Sequence, residues 1–284
     1  MTGRYLTEMA DVLRAAGLHV EEVDGWETRA RSSGGYAEGR PWVVMWHHTA
    51  SQASPDSDIA YIVGADTAPI SNLYLDRTGC IHVIAAGATN TNGKGGPQSF
   101  TRGTVPLDKM NEYAVSIEAA NSGLGEPWPC EQIDAFFAAS IALTNWLGLS
   151  PSDISSHAGW TTRKIDPATA AAVQGPWKPR SVNTSGTWSL DDLRHEATRR
   201  ATTAPSPTPP TEEDDMTAAT LWRPKGYVNT FLIGAGSTMH VSEAVYTSLT
   251  ARGVPVVVEM HPQMLETCLF QTGLTEADLV PGGG

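Results

Sequence analysis

Pro41-Trp42-Val43-Val44-Met45-Trp46 is a short apolar run that ends abruptly on His47-His48-Thr49-Ala50. Its β-branched and aromatic residues suit a strand buried on both faces, which belongs inside an α/β sheet. Around it the chain alternates helical and extended patterns. Leu6, Met9, Leu13 and Ala16 follow helical spacing, with Gly17 as the stop. Asn72–Asp76 and Cys80–Ile84 flank Arg77-Thr78-Gly79 and read as a hairpin. Tyr113–Ala119 reads as a further strand. Ile133, Phe136, Phe137, Ser140, Ile141 and Thr144 mark one face of a long helix ending near Gly148. Ser189–Arg200 is a last helix, with Ser189 as N-cap and Asp192 completing a capping-box variant. The pattern predicts an α/β domain over residues 1–200, with a central mixed β-sheet flanked by helices.

Residues 201–215 hold four prolines and end on Glu212-Glu213-Asp214-Asp215, a composition that reads as a semi-stiff linker. Beyond it, residues 216–284 read as strand (Tyr227–Ile233), helix (Ser242–Arg252), strand (Val254–Glu259) and helix (Pro262–Thr272), a small α/β domain. Gly234-Ala235-Gly236 lacks the third glycine of a dinucleotide fingerprint. Such a tethered domain suits either polymer binding, by raising effective concentration, or self-association. A separate expectation concerns Met216: the codons for Glu212 and Glu213 are purine-rich and resemble a ribosome-binding site, so the tail is a candidate for separate synthesis.

The chain of 284 residues carries 19 Lys+Arg and 31 Asp+Glu, a net charge of −12. Residues 1–200 hold 16 basic and 22 acidic groups, the linker is −4 and the tail −2, so neither part has a basic footprint for nucleic acid. No apolar run approaches a membrane span. The opening Met1-Thr2-Gly3-Arg4-Tyr5 has no apolar signal core, so the expectation is a cytoplasmic start. Cys80, Cys130 and Cys268 form no CxxC motif and read as small buried hydrophobes.

The chemistry-bearing segments are His47-His48-Thr49-Ala50, Ser116-Ile117-Glu118 and His157-Ala158-Gly159-Trp160-Thr161-Thr162-Arg163-Lys164-Ile165-Asp166-Pro167. Singly, each has an ordinary structural reading. Together they supply the imidazoles and carboxylate of a catalytic Zn²⁺ site with an open fourth position. Period-two alternation puts Glu118 on the face of Ala114 and Ser116, whose small side chains leave room for a groove, while Val115 and Ile117 face a helix layer.

In order and approximate spacing these segments resemble the zinc-dependent type-2 amidases, the superfamily of phage N-acetylmuramoyl-L-alanine amidases and peptidoglycan recognition proteins. Gly25-Trp26-Glu27-Thr28-Arg29 and Ala86-Gly87-Ala88-Thr89-Asn90 resemble endolysins of actinobacteria-infecting phages, and the likeness covers roughly residues 18–175. The resemblance implies that His47, His157 and Asp166 bind Zn²⁺, that Glu118 is the general base for the attacking water, and that Lys164 holds the developing oxyanion. It implies bacterial peptidoglycan as partner, with the enzyme waiting in the host cytoplasm until the membrane is breached. The alternatives are a non-catalytic peptidoglycan-binding protein and a cytosolic muropeptide-recycling amidase. Two departures fall on expected substrate contacts: Asn72 stands where many members carry His, and Thr91-Asn92-Gly93 occupies a stretch where another His is common. His48 reads as a residue behind the ligands or in the groove wall, and His82 as a hairpin residue near the groove. His19 and His195 carry no functional reading. Trp160 is a candidate sugar platform and Trp46 a core residue.

Overall fold

In this computed structural model the described residues are 3–203, 220–222, 230–234, 237–241 and 256–257. The chain divides into two compact units, Met1–Ala204 and Pro205–Gly284. The first unit runs α1 (Met9–Ala15), β1 (Val20–Glu22), β2 (Val43–His48), α2 (Pro55–Gly64), β3 (Leu73–Leu75), β4 (Ile81–Val83), β5 (Gln98–Phe100) and β6 (Gly103–Val105). It continues with β7 (Ala114–Ala119), α3 (Cys130–Trp146), β8 (Ile154–Ser156), α4 (His157–Trp160) and α5 (Leu190–Thr203).

The main sheet has the order β1-β4-β3-β7-β2-β8. β3, β7, β2 and β8 run parallel, and β4 pairs antiparallel with β3 through the hairpin at Gly79, whose φ is +88°. This is the mixed sheet that the pattern predicts, with β2 inside it. Alternation along β2 divides its side chains between two apolar layers. Val44 and Trp46 join Val115, Ile117 and Ile154 under Met9 and Leu13 of α1, Phe136 and Phe137 of α3, and Leu193 of α5. Val43 and Met45 join Ala114, Val105, Met110, Tyr113 and Trp160 on the opposite face. Trp46 is fully buried, stacks on Phe136 at a centroid distance of 3.4 Å, and donates from Nε1 to Ser140 Oγ at 2.7 Å. A ring of that size therefore leaves no polar atom unpaired. Over β3 and β4 the second face is closed by α2, which packs Ile59, Ile62 and Val63 on Tyr74 and Ile84.

Ser189 caps α5 by accepting from Asp192 N at 3.3 Å, but the capping box is not formed. The Asp192 carboxylate instead takes the Arg180 guanidinium and backbone N–H at 2.7–3.0 Å, a charged partner outweighing a neutral amide. α5 continues to Thr203, so the first residues of the predicted linker are helical; residues 204–215 lie outside the described residues. In the second unit a four-stranded sheet has the order β11 (Ser237–Val241), β10 (Thr230–Gly234), β9 (Thr220–Trp222), β12 (Val256–Val257). The stretch after Gly234, between the predicted strand and helix, thus forms an additional antiparallel strand. The predicted tail helices, Met216 and Cys268 lie outside the described residues. Among the described residues no helix is long and apolar enough to cross a membrane.

Asn72 is a structural clamp. Its Nδ2 donates to Ala85 O at 2.9 Å and Gly87 O at 2.8 Å, and its Oδ1 accepts from Ser116 N at 3.0 Å and Tyr36 O–H at 3.3 Å. It is fully buried, so it fixes the strand ends instead of meeting a substrate. Asn72→Ala leaves these groups unpaired and is expected to cost about 3 kcal/mol or more in urea unfolding; a loss below about 1 kcal/mol would refute the clamp.

Candidate active site

The parallel strands deliver their C-terminal ends to one edge of the sheet, the usual location of α/β sites. β2 brings His47 there, on the face of Val43 and Met45. The register of β2 and β7 sets His47 opposite Glu118. β8 pairs Ser156 with Trp46, so the next residue, His157, emerges beside His47. Ser156 also caps the short α4, accepting from Gly159 N at 3.1 Å. The loop after α4 returns Asp166 to the same point, held by Ala158 N donating to Asp166 O at 3.0 Å.

The three side chains meet. His47 Nδ1 lies 3.0 Å from His157 Nδ1 and 3.2 Å from Asp166 Oδ2, and His157 Nδ1 lies 3.0 Å from Asp166 Oδ2. All three residues are buried. Asn92 decides the tautomer of His47: its Oδ1 accepts from His47 Nε2 at 3.0 Å, which leaves the Nδ1 lone pair bare toward the others. Asn92 is itself held, donating from Nδ2 to Ser116 Oγ at 3.1 Å and from its backbone N to Asn111 Oδ1 at 2.8 Å. Bare lone pairs converging in a buried place repel one another unless a cation or protons lie between them. The separations are near the ~3.3 Å edge of a tetrahedron with ~2.05 Å metal–ligand bonds, and two imidazoles with one carboxylate form a catalytic zinc donor set. The residues therefore fit a Zn²⁺ ion.

The electrostatics agree with the geometry. Burial, with the neighbouring His157, pushes His47 down to about 4, which keeps it neutral as a ligand must be. Burial works to raise Asp166, but the adjoining imidazoles of His157 and His47 outweigh it and hold the carboxylate well below its usual range. Glu118 behaves oppositely. Burial, and then the Asp166 charge, push it well above the ordinary carboxylate value, against the pull of Lys164. Its Oε2 is buried and has no hydrogen-bond partner. Lys164 is exposed, yet its charge reaches both Glu118 and His48.

The candidate residues read from the sequence are thus brought together: His47, His157 and Asp166 in mutual contact, Glu118 and Lys164 within their field. His48 points to the other side of β2 and accepts from Ala168 N at 3.2 Å, bracing the loop that carries Asp166. Trp160 is not a sugar platform. It is 3% exposed, and the chain at Gly95 and Gly96 lies flat on its ring, where an added Cβ at Gly96 would come within 2.0 Å. The contact of Asn92 with His47 escaped sequence reasoning, because nothing in its spacing ties it to a residue 45 positions earlier in the chain. His82 is buried and lies on the same transverse row of the sheet as Glu118, separated from it by Tyr74.

Residues 37–169 match the protein family described as N-acetylmuramoyl-L-alanine amidase, and this stretch contains all five candidate residues. Several solved structures are similar. The amidase LysC from Clostridium intestinale URNW is 16% identical, covering 49% of this chain and 81% of its own, with a TM-score of 0.35. The hydrolase AmiA from Staphylococcus aureus is 13% identical, covering 71% of this chain and 95% of its own, with a TM-score of 0.41. AmiD from E. coli, solved with anhydro-N-acetylmuramic acid-L-Ala-D-gamma-Glu-L-Lys, is 20% identical, covering 53% and 61%, with a TM-score of 0.39. No curated protein matches.

A carboxyl group whose folded-state value is raised contributes its stability below the unfolded value and loses it as pH rises through the folded one. For Glu118 that loss begins above about 4.5. In chelator, Glu118→Gln is therefore expected to be more stable than the parent at pH 8, with the gap closing toward pH 4. Urea midpoints at the two pH values check this, and equal midpoints at pH 8 would overturn the burial argument.

Proposed function

We propose that this chain is a zinc-dependent amidase that hydrolyses the bond between N-acetylmuramic acid and L-alanine in bacterial peptidoglycan. The observation that carries the reading is the convergence of His47 Nδ1, His157 Nδ1 and Asp166 Oδ2 within 3.0–3.2 Å beside an unpartnered Glu118 Oε2. The family match over residues 37–169 supports the same reaction class. Zn²⁺ bound to these residues would acidify water and polarise the scissile carbonyl.

The chain's own residues supply the rest. Glu118, raised by burial, accepts a proton from the attacking water at Oε2 and returns it to the nitrogen of L-alanine as the C–N bond breaks. The hydroxyl stays on the lactyl carbon, which leaves a carboxylate and a free amine. Lys164 places a cation where the carbonyl oxygen becomes negative. Asn92 and the Ala158–Asp166 bond hold two of the ligands, so little reorganisation is needed when charge develops. Non-catalytic peptidoglycan recognition is the second reading, but a buried acid without a partner serves no purpose in simple binding.

We extend the proposal to the setting. The likeness of the segments around Trp26 and Ala88 to phage endolysins supports a lytic role, with release from the host cytoplasm when the membrane is breached. The unit Pro205–Gly284 would then hold the enzyme on the wall or join copies of the chain.

The purified full chain is expected to release new amino termini from cell walls without new reducing sugars. Chelator abolishes the release, Zn²⁺ restores it, and Asp166→Ala is inactive. Reducing ends in place of amines would make it a glycosidase, and activity indifferent to chelator would remove the metal. Lys164→Ala is expected to lower kcat about 10²–10³-fold with zinc content unchanged; a rate within about threefold of the parent would remove Lys164 from the oxyanion role.

A further inference from the structure

A second group of ligand-type side chains lies at the other end of the sheet. β3 leads through Asp76 into the turn Arg77-Thr78-Gly79, and Cys80 opens the return toward β4. The ligand atoms of Asp76, Cys80 and His82 all lie within 4.8 Å of one another, and all three residues are buried. His19 and Glu21, beside them on the approach to and start of β1, form an overlapping group around the same Cys80 sulfur. His82 is three strands from His47 in the sheet order, a distance of roughly 14 Å at strand spacing. This group is therefore separate from the candidate active site.

The hydrogen bonding leaves one oxygen of Asp76 and one nitrogen of His82 without a hydrogen-bond partner. Asp76 Oδ1 accepts from Thr78 N at 2.8 Å, Thr78 Oγ1 at 2.7 Å and Cys80 N at 3.0 Å, which leaves Oδ2 to face inward. His82 Nδ1 lies 3.3 Å from Glu21 Oε2, and the charge of that carboxylate favours the proton on that nitrogen. The other nitrogen, Nε2, then presents a bare lone pair. It is buried without a hydrogen-bond partner, and Asp76 Oδ2 stands 3.7 Å away, beyond hydrogen-bond length. His82 as a whole is 7% exposed and Cys80 4%. A carboxylate behind an imidazole whose far nitrogen is unpartnered is the arrangement that orients histidines toward metals. Arg77, the nearest cation in sequence, is tied to Glu126 at 2.5 Å rather than to Asp76.

We propose that Asp76, Cys80 and His82 form a second metal site, for Zn²⁺ or another thiophilic divalent cation. A thiolate and a carboxylate balance the double charge, and sulfur with imidazole selects zinc-like ions over Mg²⁺ or Ca²⁺. Ligand atoms now up to 4.8 Å apart close by about 1 Å on binding, within reach of side-chain rotation. Because the ligands span the turn between β3 and β4 and Glu21 lies on β1, the ion pins the sheet edge and plays no part in the hydrolysis. The alternative is a plain polar contact of His82 with Glu21 and Asp76, which needs neither metal nor thiolate.

Cobalt separates the two sites, because the His47, His157 and Asp166 set contains no sulfur. The full chain, stripped by chelator and titrated with Co²⁺, is expected to bind two equivalents and to develop thiolate-to-cobalt charge-transfer absorption in the near ultraviolet. Cys80→Ser is expected to lose that absorption and one equivalent. Asp166→Ala keeps the absorption, and so does Cys130→Ser. His82→Gln, which leaves the thiol in place, is expected to weaken the sulfur-containing site at least about tenfold, so the assignment does not rest on one variant's folding. Binding of a single equivalent without charge-transfer absorption, or absorption that survives Cys80→Ser or is unchanged in affinity by His82→Gln, overturns the proposal.

Discussion

The register between β2 and β7 is the constraint on which everything else depends. It sets His47 opposite Glu118, and a slip of one residue would turn every side chain of one strand to the opposite face. Trp46 would then leave the helix layer and His47 would enter it. The register is held because both faces are buried: Trp46 is stacked on Phe136 on one side, and Val43 and Met45 are sealed by Trp160 and Tyr113 on the other. Carried across the sheet, the same register lines up Glu21, His82, Tyr74, Glu118 and His47 in one row. Tyr74, donating to Asp58 of α2 at 3.1 Å, divides the row into two polar clusters.

Each cluster is costly without a cation. Buried lone pairs facing one another, and the unpartnered oxygen of Glu118, are groups that a fold selected only for stability would pair or replace. Strain of this kind persists where the surroundings enforce it. Here the surroundings are polar clamps: Asn72 on the strand ends, Asn92 on His47, and His48 on the Asp166 loop. They hold His47, Asp166 and the strand ends in place, so geometry and not flexibility defines the cluster.

Much of this was legible in order. The apolar run before His47, the hairpin around Gly79 and the helix bearing Phe136 and Phe137 could be read from period and type, whereas His47, Glu118, His157, Lys164 and Asp166 stood out as candidates through the resemblance to type-2 amidases. What failed had a common cause. Asn72 and Asn92 looked like lost histidines in a substrate groove, yet one clamps strand ends and the other orients a ligand. Trp160 looked like a platform but is covered by a glycine-rich loop. Asp192 looked like half a capping box but meets Arg180. No element was read over Ser237–Val241, although β10 and β11 pair through the whole hairpin. In every case the deciding partner is close in space and was not recognisable from local pattern.

By itself the sequence singled out the candidates for the chemistry and the periodicity each element follows, because residue type and spacing are local properties. It also placed Glu118 on the small-residue face, since alternation along a strand is geometric necessity. Only the tertiary structure decided that Nδ1 of both histidines meets Asp166, that Asn92 chooses the tautomer, and that Cys80 and His82 face Asp76. Those are consequences of strand order and register, which bring together residues far apart in the chain, and of burial, which makes an unpaired lone pair expensive enough to carry meaning.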